Sequence, residues 1–201
     1  SSSSLSSSSS RSSSSTRHLT IEAAEFGRIS PENVVFVYNS YQPGSLEVAE
    51  YYRDARGLSN SNLINISIAP PSVSSDGLTC ENAITENEYT TLIENPIILA
   101  LESLGQDFSS YGPKPIKVII LGYGIPLAYN DGTQDIAIAS RLHRLGHVVE
   151  NKRLNHTFNR SVFQFFSEDD STELFITAVL DGPSVAAVKK LIDRSLDVDN
   201  Q

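Results

Sequence analysis

Two short apolar runs, VVFVY at 34–38 and IKVIILG at 116–122, constrain this chain more than anything else in it. Neither run alternates with polar residues, so each belongs in a strand covered on both faces, the setting of a central parallel strand. Parallel neighbours need crossovers, and helical patterns lie between the runs. SLEVAEYYRDARG (45–57) places Leu46, Ala49, Tyr52 and Arg53 on one face, with Gly44 or Ser45 at its start and Gly57 at its end. NLINISI (62–68) and ELFITAV (173–179) supply two further strands. Helical signals recur over 86–104, where Pro96 begins or kinks a helix, and over TQDIAIASRLHRLG (133–146). SVAAVKKLIDRSL (184–196) carries an apolar stripe through Val185, Val188, Ile192 and Leu196.

Four strands alternating with helices predict a three-layer α/β domain with a mostly parallel sheet of four or more strands. Its topology is expected to be flavodoxin-like or caspase-like, and its strand order 2-1-3-4 by analogy with doubly wound sheets. Residues 1–17, SSSSLSSSSSRSSSSTR, are low complexity and are expected to form a linker or tail, with a single α/β domain over 18–201. A start in SSSS without Met fits a processed chain or a fragment. The segment 69–85 exceeds the usual loop length and contains Pro70-Pro71 and Cys80.

A formal charge of −9 with no basic stripe argues against nucleic acid or an anionic membrane surface as partner. No apolar run approaches the roughly 18 residues that span a bilayer. One cysteine, Cys80, rules out an internal disulfide. Sequons stand at Asn65, Asn155 and Asn159; Asn65 is expected in a core strand, leaving Asn155 and Asn159 as the N-glycosylation candidates.

Ligands of open parallel sheets bind beyond the carboxyl ends of the strands, where the strand order reverses. In the expected order that point lies between the first and third strands. Three loops arrive there: Asn39-Ser40-Tyr41-Gln42-Pro43-Gly44, then Gly122-Tyr123-Gly124-Ile125-Pro126, and, one strand on, Asp181-Gly182-Pro183-Ser184. Asn39, Ser40, Tyr123, Asp181 and Ser184 are therefore the candidate cleft residues. DGPS has two roles open to it. Asp181 and Ser184 can cap, Gly182 can take a positive φ and Pro183 can open a helix; or Asp181 can face a cleft as a carboxylate for catalysis or a cation. Gly122-Tyr123-Gly124 lacks the third glycine of a dinucleotide fingerprint, since residue 127 is Leu, and fits a tight strand exit better than a phosphate cradle.

The remaining chemistry-bearing residues stay less decided. Cys80 would need a base to act as a nucleophile, and His143, His147 and His156 are all open to that role. His143 and His147, four apart, are weak candidates for a metal, with Asp131, Asp135, Glu150 or His156 completing the set; a helix C-terminus also favours histidine. Glu168-Asp169-Asp170 fits solvated surface, without the alternation of a calcium loop. No cofactor is expected.

The stretches ENVVFVYNSYQPGSLEVAEYYRDARG, IKVIILGYGIPLAY and DGPSVAAVKKLIDRSL together resemble an uncharacterised, mainly bacterial family with VVYN, YYxxxRG, YGxPL and DGP motifs. The resemblance covers roughly residues 31–196 and rests on Tyr38, Asn39, Tyr51, Tyr52, Arg56, Gly57, Tyr123, Gly124, Pro126, Leu127, Asp181, Gly182 and Pro183. It implies a common fold and assigns no catalytic role.

Two functions follow from the sequence. The first is a non-enzymatic structural or interaction module of a larger, extracellular or cell-surface assembly, with protein subunits or further copies of itself as partners. The Ser-rich segment and the missing nucleophile–base pair point that way. The second is a hydrolase-like or small-ligand-binding α/β domain with its cleft at the ends of strands one, three and four.

Overall fold

A computed structural model describes residues 29–69, 83–108, 115–145 and 175–199. Cys80, His147, His156, Asn155, Asn159, Glu150, residues 168–170 and the Ser-rich segment 1–17 fall outside these residues.

A four-stranded, wholly parallel sheet forms the centre, ordered β2-β1-β4-β7. Strand β1 is Val34–Asn39, β2 is Leu63–Ile66, β4 is Val118–Leu121 and β7 is Ile176–Val179. In the sequence's own count of strands this is 2-1-3-4, as expected. Val34 pairs with Val118, and Phe36 with both Ile120 and Leu63, so the two apolar runs lie side by side in the middle of the sheet.

Strand alternation sends their side chains into two separate cores. On one face Val34, Phe36, Val118 and Ile120 pack with Val48 and Ala49 of α1 (Ser45–Arg56) and Val188 and Ile192 of α5 (Val185–Asp199). On the other, Val35, Val37, Ile119 and Leu121 meet Ile93, Ile97 and Leu101 together with Ile138 and Leu142. Helices cover both faces, giving the three-layer α/β domain.

Helix α1 starts from Gly44 at φ 84° and ends on Gly57 at φ 69°, both left-handed positions that glycine takes without steric cost. Its buried stripe differs from the expected one. Ser45, Val48 and Ala49 are buried and Tyr52 packs on Phe36 with ring centroids 5.0 Å apart, while Leu46 is 45 % exposed. The stripe is set by Val48, which the polar flanks Glu47 and Glu50 disguised.

Residues 86–103 form one helix with a widened turn. Helix α2 (Glu86–Tyr89) opens on a capping box: the Glu88 N–H donates to Thr85 Oγ1 at 3.2 Å, and the Thr85 N–H donates to Glu88 Oε2 at 2.8 Å. A π turn, Thr90–Glu94, precedes α3 (Asn95–Ser103), whose second residue is Pro96. Proline has no N–H for the carbonyl four residues back and its ring crowds that carbonyl, so the helix opens by one residue just before it.

The segment 133–146 departs from the expected helix. β5 (Ala128–Asn130) and β6 (Asp135–Ala137) form an antiparallel hairpin, joined by β3 (Ala83–Thr85) into a second small sheet ordered β3-β5-β6. Only then does the short helix α4 (Ile138–Leu142) begin. Gly132 at φ 92° and the Asp131 carboxylate make the turn: Asp131 accepts from the Thr133 and Gln134 N–H groups at 2.8 and 2.9 Å. Asn65, expected in the core, is exposed instead, because it points away from the buried side of Ile64 and Ile66. Among the described residues no helix is long and apolar enough to cross a membrane.

Candidate functional site

The carboxyl ends of β1, β4 and β7 meet at the switch point, where the chain leaves β1 for β2 on one side and reaches β4 on the other. A cleft of about 240 Å³ opens there, lined by Asn39 and Gln42 from the first loop, Tyr123 through Leu127 from the second, Asp181 and Gly182 from the third, and Ile68 and Ala69 beyond β2. Of the five candidates, Asn39, Tyr123 and Asp181 line it. Ser40 and Ser184 do not. The Ser40 hydroxyl donates to the Ile66 carbonyl at 3.2 Å on the β2 side, and Ser184 is occupied at the helix start.

Asn39 is the hub that holds the loops in place. It is 4 % exposed, and all of its side-chain valences are met. Nδ2 donates to the carbonyls of Ile68 and Gly124, at 2.9 and 3.2 Å, while Oδ1 accepts from the N–H groups of Tyr41 and Ile68, at 3.1 and 3.0 Å. Ser45 ties the same loops from the other side: its hydroxyl accepts from the Asn39 N–H at 3.0 Å and donates to the Tyr123 carbonyl at 2.7 Å. A carboxamide saturated in this way positions the walls and has nothing left for a ligand.

The two glycines of Gly122-Tyr123-Gly124 serve different ends. A Cβ on Gly122 would sit 2.4 Å from the Phe36 ring and 2.8 Å from the Val37 carbonyl, so the strand exit passes where no side chain fits. Gly124 has φ 77°, and a Cβ there would lie 2.1 Å from Gln42 Cγ. The Gln42 stem therefore crosses directly over Gly124, and Gln42 lines the cleft. The strand-exit role expected of this motif holds.

In DGPS, Ser184 alone caps α5. Its Oγ accepts the Ala187 N–H at 3.2 Å and its carbonyl accepts the Val188 N–H at 3.1 Å. Gly182 does not take a positive φ; it is small because Val188 Cγ2 stands 3.2 Å from where a Cβ would be. Pro183 precedes the cap rather than opening the helix. Asp181 is left out of the turn. Among the described residues its carboxylate makes no hydrogen bond or ion pair, and the same is true of the Tyr123 hydroxyl and the Gln42 carboxamide.

The polar residues of the three loops thus fall into two classes. Asn39, which lines the cleft, and Ser45 and Ser184, which do not, are spent on the scaffold; Gln42, Tyr123 and Asp181 line it with side-chain polar groups that have no partner among the described residues. Among the described residues Asp181 is the one carboxylate that lines the cleft, and no Lys, Arg or His does. Ile68, Ile125, Pro126 and Leu127 make the apolar part. Gln42 carries no signal of its own in the sequence; only the missing Cβ at Gly124 draws it in.

His143 lies elsewhere, just past the end of α4, with Nδ1 on the Phe175 carbonyl, where it joins the helix to the start of β7. His147, its expected companion as a weak metal candidate, lies outside the described residues. No group of three His, Cys, Asp or Glu side chains among the described residues is placed to hold a metal ion. Comparison with family models, curated proteins and solved structures finds no match to this chain.

Proposed function

We propose that this chain is a small-ligand-binding α/β domain of flavodoxin-like topology, with the caspase-like arrangement as the alternative, and that its ligand sits at the ends of β1, β4 and β7 with Asp181 as the principal acceptor. One observation carries this: three polar residues that line the cleft have side-chain groups with no partner among the described residues, while their polar neighbours are fully bonded. Polar groups in partly enclosed sites find partners, and here the partner left to find is a ligand or water. The volume, about 240 Å³, falls below the roughly 300–1,000 Å³ of sites for drug-sized molecules, which points to a small ligand. The order of parallel strands and the helices on both faces support the topology.

A structural or interaction module remains the second function, supported by the Ser-rich segment rather than by the geometry of the cleft. The two separate in a thermal-shift screen of the full chain against small polar metabolites. A ligand of the native state raises Tm with its concentration. The binding function predicts at least one such compound, with the shift lost in Asp181→Asn. A screen in which nothing shifts Tm favours the module.

A further inference from the structure

We infer that the cleft takes a small neutral polyol, a sugar or a molecule of like chemistry, held through neighbouring hydroxyl groups; this rests on the ligand-binding function proposed above and names its ligand class. The inference follows from which hydrogen-bonding roles are left open. A carboxylate such as that of Asp181 serves as an acceptor, so it calls for a donor. The Gln42 carboxamide offers two N–H donors and an oxygen, and the Tyr123 hydroxyl can donate or accept, so they require a ligand that also accepts. Both demands meet in the hydroxyl group, which gives its proton to Asp181 and takes one from Gln42 or Tyr123.

Other small-ligand classes fit less well. A phosphate or carboxylate would face Asp181 with no Lys, Arg or His among the described lining residues to offset the repulsion. An ammonium would satisfy Asp181 but offers no acceptor, leaving the Gln42 donors unmet. A purely apolar molecule would cover Ile68, Ile125, Pro126 and Leu127 while stripping water from three polar groups without replacing it. A polyol presents hydroxyls on its edge and C–H groups on its faces, matching a wall that is part polar and part apolar.

The test is saturation-transfer NMR on the full chain with D-glucose, D-galactose, D-mannose and glycerol, each alone, and with methylammonium and inorganic phosphate as the cationic and anionic probes, phosphate followed by 31P line broadening. Asp181→Asn removes the charge, and Gln42→Met keeps the stem over Gly124 while removing the carboxamide. Expected is transfer to at least one polyol, with affinity reduced about tenfold or more in Asp181→Asn and lowered in Gln42→Met, both variants keeping the wild-type unfolding midpoint. Binding of methylammonium or phosphate alone overturns the polyol and leaves ligand binding in place. A polyol signal equal in wild type and both variants overturns it too, since the molecule then sits elsewhere. No transfer from any probe overturns the polyol, and the metabolite screen then decides whether the cleft binds anything.

Discussion

Asn39 pairs with the Ile68 backbone as a second strand would: Nδ2 donates to the Ile68 carbonyl at 2.9 Å while the Ile68 N–H donates to Oδ1 at 3.0 Å. One side chain thereby extends the β1–β2 pairing beyond its last backbone bond, Ser40 N–H to Ile66 carbonyl at 2.9 Å. Asn62 does the matching work at the other end, its Nδ2 donating to the Val34 carbonyl at 2.7 Å. Replacing Asn39 by Ala strips both Ile68 groups and the Gly124 carbonyl of their partner inside a buried site. Asn39→Ala is expected to lose about 2–4 kcal/mol, read as a lower urea midpoint at unchanged slope.

Gly122 and Gly124 separate stability from binding. Gly122→Ala pushes a methyl into the Phe36 ring and the Val37 carbonyl and is expected to cost about 1–3 kcal/mol, with ligand affinity little changed in the folded fraction. Gly124→Ala strains a left-handed residue by about 1 kcal/mol and also displaces the Gln42 stem. It should therefore weaken ligand binding as well. Urea unfolding alongside a binding titration checks both.

Tyr89 is 1 % exposed and stacked on Tyr129 at 4.5 Å between ring centroids; its buried hydroxyl makes no well-formed hydrogen bond among the described residues, with the Arg141 guanidinium close by. Burial pushes that phenol far above its ordinary range, so it stays neutral. Tyr89→Phe keeps the stack and removes the stranded group. Unfolding measurements should find the variant at least as stable as wild type, by up to about 1 kcal/mol.

Glu94, the last residue of the π turn, is half-buried, and burial raises its carboxyl above the usual 4.5, with Arg141 opposing and Glu86 adding. A raised folded-state pKa means the unfolded chain ionises first as pH increases. The favourable contribution is complete below the unfolded value and is lost as pH rises through the folded one. Glu94→Gln removes this dependence. Its stability relative to wild type should be greater at neutral pH than at about pH 4, measured by urea unfolding at each pH.

The central sheet was legible because its apolar runs are continuous, and continuity of that kind in VVFVY and IKVIILG leaves only a strand buried on both faces. Knowing which strands were central also located the cleft. The β5–β6 hairpin was not legible in the same way. In DIAIASRL, Ile136 and Ile138 alternate as in a strand, while Ile138 and Leu142 repeat as in a helix, and the two periods share a residue. Asp131-Gly132 was the overlooked signal, a turn pair bounded by residues that pair as Asn130 with Asp135.

At the site, the sequence identified the loops and left the roles of their side chains open. Asn39 and Asp181 look equally polar in a string of letters. Their difference is one of accounting: Asn39 has four partners and Asp181 none among the described residues. That depends on where Ile68, Gly124 and Ser184 fall in space, and on Ser184 taking over the cap that would otherwise have occupied Asp181.

The most direct measurement uses the absence of tryptophan from the chain. Leu127 is 54 % exposed at the cleft wall, so Leu127→Trp places a single fluorophore there. Any compound that raises Tm should change its emission saturably, and the change should vanish when Asp181→Asn is added. A compound that raises Tm and leaves the emission untouched, or that acts equally with and without Asp181, would contradict the account by placing the ligand outside the cleft.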